Sequence, residues 1–324
     1  MSQPKVFVTR RLPINLNKLL ENIDFEVWGD RLPPAPEILL EKTKNIDGLL
    51  CLLTDKINQE IINNSPSLKV ISQMAVGYDN IDINAATARK IPVGNTPGVL
   101  TNATADFAWA LLMAAARRVV EADNFTRANK WKTWEPDLLL GPDITGATLG
   151  IVGFGRIGQA VARRAQGFDM RILYYSKHRK TREIEEKFKV EYVELNDLLC
   201  QSDFVTLHTS LSPDTHHLMG DKQFELMKPE AILINTARGS VVAQEALYKA
   251  LKNRQIAYAA IDVTEPEPIP INSPLLSLDN LIIAPHIASA SRQTREKMAN
   301  MAVANLLAGL KGDRLPYCVN PEIY

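Results

Sequence analysis

TLGIVGFGRIGQAVARRAQ, running from Thr148 to Gln166, is the stretch that decides the fold. An apolar run, TLGIV (Thr148–Val152), reads as a strand, and Ile157–Gln166 reads as a helix. Between them lies Gly153-Phe154-Gly155-Arg156-Ile157-Gly158, a GxGxxG. The first glycine suits the tight turn. The second lets backbone approach a pyrophosphate, and the third lets helix and strand pack closely. The helix N-terminus then offers free N–H groups and the positive end of its dipole to phosphate. A turn between strand and helix would need no such triplet. The strand before, the helix after and a further strand at the right distance together favour a dinucleotide site.

The strand that follows, Arg171–Tyr175, bears on which dinucleotide. An NAD site places Asp or Glu about 20 residues on, to hold the ribose 2′-OH. Here the strand runs into Ser176-Lys177-His178-Arg179-Lys180, with no carboxylate in that stretch. A carboxylate would repel a 2′-phosphate. Ser176 can hydrogen-bond one, and Lys177 and Arg179 can pair with it. The expectation is NADP, with NADPH preferred over NADH. The competing reading is a solvated basic loop at a strand end.

Outward from this core, strand-like and helix-like segments alternate in both directions. Upstream, strands are expected at Lys5–Thr9, Phe25–Trp28, Gly48–Leu53 and Lys69–Met74, with helices at Ile14–Asn22, Pro36–Lys44 and Asn58–Asn64. Downstream, strands are expected at Asp203–His208, Ala231–Asn235, Tyr258–Val263 and Leu281–Ala284. Helices are expected at Arg182–Lys187, Gln244–Lys252 and Arg295–Leu310. Such alternation predicts parallel sheets covered on both faces, here as two α/β units. Ala103–Arg118 is the strongest helix, with Thr101 or Asn102 as N-cap. Glu121–Gly141 reads as irregular and holds Trp131 and Trp134. They would suit a protein–protein contact or pack on their own domain.

Composition narrows the classes. Lys plus Arg and Asp plus Glu each number 37 in 324 residues, so the net charge is zero. Bulk nucleic-acid binding needs a surplus of cation. No apolar run approaches the roughly 18 residues of a membrane span. The start, MSQPKVFVTR, passes almost at once into a strand and lacks a signal-peptide pattern. The three cysteines, Cys51, Cys200 and Cys318, stand far apart, which argues against a disulfide framework or zinc site. The cytoplasm is the expected compartment, with no metal, membrane or nucleic-acid partner.

Of five histidines, His286 is set apart. It follows an apolar strand in LIIAPHIAS, beyond a strand end where α/β active-site groups gather. Asn235-Thr236-Ala237-Arg238-Gly239 and Asp262-Val263-Thr264-Glu265-Pro266-Glu267-Pro268 are placed alike.

The chain closely resembles the D-isomer-specific 2-hydroxyacid dehydrogenases, and within them the glyoxylate/hydroxypyruvate reductases. The resemblance spans MAVGYDNID (Met74–Asp82), VGNTPGVLTNATADFAWALL (Val93–Leu112) and GIVGFGRIGQAVARR (Gly150–Arg164). It continues through INTARGSVV (Ile234–Val242), AIDVTEPEPIP (Ala260–Pro270) and APHIASAS (Ala284–Ser291). It implies Arg238, Glu267 and His286 as catalytic set. Glu265 is the competing carboxylate, and Glu267 is preferred because it directly precedes Pro268 as the family's Glu does. The resemblance implies substrate contacts at Val76, Gly77, Arg238 and Trp134. It further implies cofactor contacts at Thr104, Arg156, Ile157, Ser210, Thr236 and Ala237, besides the glycines, with Asp262 at the nicotinamide amide. One departure is Ala288, where many members have glycine.

The residue types suit reduction of a small 2-keto acid. Arg238 can fork onto the carboxylate and polarise the keto oxygen. His286 can donate a proton, with Glu267 orienting its ring. The resemblance also implies a flavodoxin-like substrate domain (1–101 and 290–324) and a Rossmann cofactor domain (102–289). The site would lie in an inter-domain cleft, and a dimerisation arm (119–146) would make a homodimer. Two rivals are another D-2-hydroxyacid dehydrogenase, of the D-lactate or 3-phosphoglycerate type, and a nucleotide-sensing non-catalytic relative. The latter typically carries extra terminal segments, whereas this chain ends soon after its last helix.

Overall fold

A computed structural model describes residues 3–324. In chain order the elements are β1 (Lys5–Val8), α1 (Leu16–Leu19), β2 (Asp24–Val27), α2 (Pro36–Thr43), β3 (Gly48–Cys51), α3 (Gln59–Asn63), β4 (Val70–Gln73), α4 (Ile83–Ala88) and β5 (Val93–Gly94). Then come α5 (Thr101–Ala116), α6 (Val119–Arg127), β6 (Thr148–Val152), α7 (Arg156–Ala165), β7 (Arg171–Tyr175), α8 (Arg182–Phe188), β8 (Val190–Tyr192), α9 (Leu195–Gln201) and β9 (Phe204–Leu207). The last are α10 (Asp221–Leu226), β10 (Ile232–Asn235), α11 (Gln244–Lys252), β11 (Tyr258–Ile261), β12 (Leu281–Ile283) and α12 (Arg292–Lys311). Two compact units result. One comprises residues up to Leu100 with Ala290–Tyr324, and the other Thr101–Ser289.

The first unit has a five-stranded parallel sheet in the order β2-β1-β3-β4-β5. Its inner strands β3 and β4 are buried at every position, while edge strand β2 is half-exposed. That is the pattern of a parallel sheet with both faces covered. One face packs Phe7, Leu49, Ile71 and Ile62. The other packs Val6, Leu50 and Val70 against Met298, Ala302 and Leu306 of α12. The Ser72 hydroxyl donates to the Ala302 carbonyl at 2.7 Å, tying α12 to β4. Helix starts follow side-chain caps: Asn58 accepts from the Ile61 amide, Asp82 from Ala85 and Ser291 from Thr294.

The second unit has a seven-stranded parallel sheet, β12-β11-β10-β9-β6-β7-β8. The strand order reverses at β6, the topological switch point where doubly wound sheets bind ligands. Strands β9, β10 and β11 are wholly buried.

Several local expectations are corrected. Thr101 and Asn102 do not cap α5, because the helix already begins at Thr101. The stretch read as irregular after α5 contains α6, an amphipathic helix that buries none of its residues. Of the two readings for Trp131 and Trp134, burial in their own unit is the one disfavoured: they are 59% and 78% exposed. Among the described residues, no helix is long and apolar enough to cross a membrane.

Candidate active site

The glycine loop is built as its spacing requires. Gly153 sits at φ +95°, and a Cβ there would come within 2.6 Å of the His208 carbonyl carbon. A Cβ on Gly158 would meet the Gly153 carbonyl oxygen at 2.3 Å, so α7 packs directly on the turn. A Cβ on Gly155 would meet nothing within 4 Å, which leaves that side open to a ligand. Gly155 precedes α7 without a side-chain cap, so the first-turn amides, those of Arg156 and Ile157 among them, are left for another acceptor. Thr236 adds a buried hydroxyl without a hydrogen-bond partner. An open glycine, an uncapped ten-residue helix at the switch point and an orphaned buried hydroxyl fit a dinucleotide.

In the Ser176–Lys180 loop, Ser176, Lys177 and Arg179 each have a partner within the chain. The Ser176 hydroxyl accepts from the Phe154 amide of the glycine loop at 2.7 Å. Lys177 pairs with Asp214 at 2.6 Å. Arg179 forks onto Glu185 at 2.8 and 2.9 Å and lies over the Tyr192 ring. Arg179, helped by the Tyr174 hydroxyl, holds the Glu185 carboxyl down to about 2. Acids from other parts of the chain therefore attend both cations. The other expected cofactor contacts lie in the same unit. Thr104 is buried in α5 and Ala237 follows β10, while Ser210 is exposed after β9.

Three strand-end loops are laced together beyond β10, β11 and β12. The Asn235 side chain accepts from the Ala237 amide and donates to the Arg238 carbonyl, both at 2.9 Å, while Arg238 donates to the Ala237 carbonyl. The Asp262 amide donates to the Asn235 carbonyl, and the Asp262 carbonyl accepts from the His286 amide. The Asp262 carboxylate accepts from the Ile287 amide at 2.8 Å and from Ala288 at 2.7 Å. Burial pushes this carboxyl up, and those two amides oppose the shift. His286, held between these anchors, has a left-handed backbone at φ +55°.

The His286 ring donates from Nδ1 to Glu267 Oε2 at 2.8 Å, and Glu267 Oε1 accepts from the Thr264 amide. Burial pushes the Glu267 carboxyl up. The His286 contact, the Thr264 amide and the Arg238 charge outweigh it and hold the carboxyl below its usual value. Glu265 points elsewhere, to His217 and Ser240. Glu267, not Glu265, meets the imidazole.

Two residues escaped the sequence reading. Asn235 clips the Arg238 loop, and an Asn closing a buried strand before a turn was the available signal. His208 bonds Thr206 through Nε2, while its Nδ1 is sealed from solvent without a partner. Desolvation pushes His208 down to about 3. In the first unit, Val76 and Gly77 lie on a turn tied by its carbonyls, to the Asn95 and Gln73 side chains respectively.

A doubly wound sheet with this glycine loop and an Arg, Glu and His on strand-end loops defines a nicotinamide-dependent oxidoreductase class. Residues 109–288 match the D-isomer specific 2-hydroxyacid dehydrogenase, NAD binding domain. The glyoxylate reductase of Korarchaeum cryptofilum is 54% identical over 323 residues, covering 99% of this chain and 97% of that protein. A solved protein from Thermus thermophilus superposes with a TM-score of 0.91 at 46% identity, covering 97% of this chain and 99% of its own. An NADPH-dependent glyoxylate/hydroxypyruvate reductase from Sinorhizobium meliloti, solved with NADP and malonate, gives 0.85 at 30% identity, covering 100% and 98%. The chain belongs to the D-isomer-specific 2-hydroxyacid dehydrogenase family.

Proposed function

We propose that this protein reduces glyoxylate and hydroxypyruvate, to glycolate and D-glycerate, with NADPH as the preferred cofactor. The observation that carries the reading is the 2.8 Å contact from His286 Nδ1 to Glu267, on loops laced to the one bearing Arg238. With Nδ1–H held by Glu267, His286 Nε2 is left to give a proton to the keto oxygen. The carboxylate beside the ring favours its protonated form and fixes its orientation. Arg238 forks onto the substrate carboxylate and polarises the carbonyl. The amides of Val76 and Gly77 are proposed as further donors to that carboxylate.

NADPH, when bound, would supply a hydride to the keto carbon. The glycine loop and the start of α7 would hold its pyrophosphate, with Thr236 and Asp262 toward the nicotinamide. In the reverse direction Nε2 takes the hydroxyl proton instead. NADPH preference is supported by Ser176 standing where an NAD site carries an acid, with Lys177 and Arg179 alongside.

A homodimer is part of this reading. Trp131, Trp134 and Leu140 are exposed along the segment after α5, with Val119 and Val120 of α6. Such an apolar surface suits a subunit contact, and Trp134 is the proposed reach into the partner's site. Sedimentation at the dimer mass is expected, and a stable active monomer would remove this part. The main test is a steady-state panel of glyoxylate, hydroxypyruvate, pyruvate and phosphohydroxypyruvate, each with NADPH and NADH. The highest kcat/KM should fall on the first two with NADPH. A clear preference for pyruvate or phosphohydroxypyruvate would replace the substrate assignment.

A further inference from the structure

We propose that His216, His217 and Glu265 form a binding site for one divalent transition-metal ion of the zinc, nickel and cobalt kind. Their ligand atoms all lie within 4.8 Å of one another, and no other such trio occurs among the described residues. The two imidazole rings are stacked, 3.9 Å between centroids and 29° between planes. Both direct Nε2 at one carboxylate: His217 at 2.8 Å from Oε2 and His216 at 3.9 Å from Oε1.

The fold holds this trio in place. His217 has a left-handed backbone at φ +51°, and its amide donates to the Ser240 carbonyl at 2.7 Å. Met219 and Val242 pair as a parallel bridge, so the His216–His217 turn is stitched to the segment after Arg238. Glu265 is fixed from two sides. Ser240 donates its hydroxyl to Oε1 at 2.6 Å, and Gln244 bonds both the amide and the carbonyl of Glu265.

The donor set selects the metal. Two imidazole nitrogens and one carboxylate suit zinc, nickel or cobalt. Calcium and magnesium want more oxygens. Nitrogen and oxygen ligands about 2.0–2.2 Å from one ion stand roughly 3 Å apart in an octahedral site and about 3.4 Å apart in a tetrahedral one. The His217–Glu265 separation of 2.8 Å is close to the octahedral spacing. His216 must close from 3.9 Å by about 1 Å, with the rings splaying so that both lone pairs converge. Both imidazoles are about half-exposed, and His216, without a side-chain hydrogen bond of its own, has room to turn. The ion would replace the hydrogen bond from His217 to Glu265, water filling the remaining positions. It would cross-link the turn before Met219 to the segments that carry Arg238 and Glu267, each two residues from a member of the Ser240–Glu265 contact.

The test uses the full-length, tag-free protein, stripped by chelator, with Zn²⁺ or Ni²⁺ alone as probe. Equilibrium dialysis should show one ion bound per chain at sub-millimolar metal. The His216→Ala variant removes a ligand that holds no structural hydrogen bond, and should bind at least 10- to 100-fold more weakly. Zn²⁺ should raise the melting temperature of the parent protein and leave that of His216→Ala where it was. X-ray absorption of the Ni²⁺ form should show two imidazole ligands. Equal binding by His216→Ala, or no binding by the parent, would overturn the site. These readouts do not depend on turnover, so they fail separately from the proposed activity.

Discussion

Asp262→Ala removes the carboxylate that takes two backbone amides of the loop carrying His286. The residue is 1% exposed, and its two oxygens take the Ile287 and Ala288 amides at 2.8 and 2.7 Å. Losing an acceptor costs a buried donor about 1–3 kcal/mol. Ala288 is buried, so its amide bears the full cost, while Ile287 is 38% exposed and water can reach its amide more easily. Against this, the substitution relieves the desolvation of a buried carboxylate. A net loss of about 1–3 kcal/mol follows, which is roughly 5- to 150-fold in a local opening equilibrium. Amide hydrogen exchange at Ile287 and Ala288, measured without cofactor, should accelerate by that factor. Asp262→Asn keeps one acceptor and should show about half the free-energy change. Turnover should fall about 100-fold or more as His286 loses its left-handed anchor. If exchange at Ala288 is unchanged while turnover collapses, Asp262 acts on the ligand and not on the loop.

Four further outcomes are expected. His286→Ala should lower kcat by about 10²–10⁴ while NADPH fluorescence titration stays nearly unchanged, and undiminished turnover would end the acid–base role. Gly239→Ala places a Cβ 1.9 Å from the Thr264 carbonyl oxygen, forcing the Arg238 and Glu267 loops apart. That should cost about 1–3 kcal/mol or more in chemical denaturation, and an unaltered midpoint would refute the close packing. His208 is pushed down to about 3 by desolvation, so below about pH 6.5 the unfolded chain binds a proton that the folded protein refuses. Stability should therefore fall as pH drops from about 6.5 toward 4. Its slope stays under about 1.4 kcal/mol per pH unit because only one proton is taken up. His208→Asn should flatten that slope, and an identical pH profile would discard the assignment. Ser176→Asp with Lys177→Ala should move the kcat/KM ratio from NADPH toward NADH, and an unmoved ratio would reject the phosphate pocket.

What was legible in the sequence was local. The glycine turn, its strand and its helix are consecutive, and their periods survive in a short window. The buried strands β3 and β11 show as apolar runs, and β4, β9 and β10 as mostly apolar ones with a polar residue or two, because a covered parallel sheet leaves no solvent-facing side. By contrast α6 buries nothing, so no core-facing stripe marked it. Helices α4, α9 and α10 have only six or seven residues each, too few to show a period. The site divides the same way. Arg238, Glu267 and His286 stand just beyond strand ends and could be named. What holds them could not be named, because those bonds cross the fold. Asp262 reaches the Ile287 and Ala288 amides 25 and 26 residues on, and His217 reaches Glu265 across 48. Such pairings depend on β10, β11 and β12 lying side by side in that order.

The basic loop after β7 shows how a charge count and a structure answer different questions. The chain carries no net charge, yet Ser176–Lys180 reads as a cationic cluster. In space two of its three cations pair with acids: Lys177 with Asp214 and Arg179 with Glu185. These pairs do not by themselves argue against a 2′-phosphate. An exposed ion pair such as Lys177–Asp214 is worth about 0–1 kcal/mol, so a phosphate dianion could draw Lys177 away at small cost, whereas Arg179 is held more firmly by its fork onto Glu185, whose side chain is 12% exposed. For the same reason the cations alone would confer little selectivity, since part of their charge is already answered. The stronger discriminator is the absence of a carboxylate at position 176. There Ser176 is drawn toward the glycine loop by the Phe154 amide and retains a hydroxyl proton to donate. The double substitution therefore acts chiefly through the new aspartate, which would repel a 2′-phosphate and accept from a 2′-hydroxyl. Removal of the lysine should be the lesser effect.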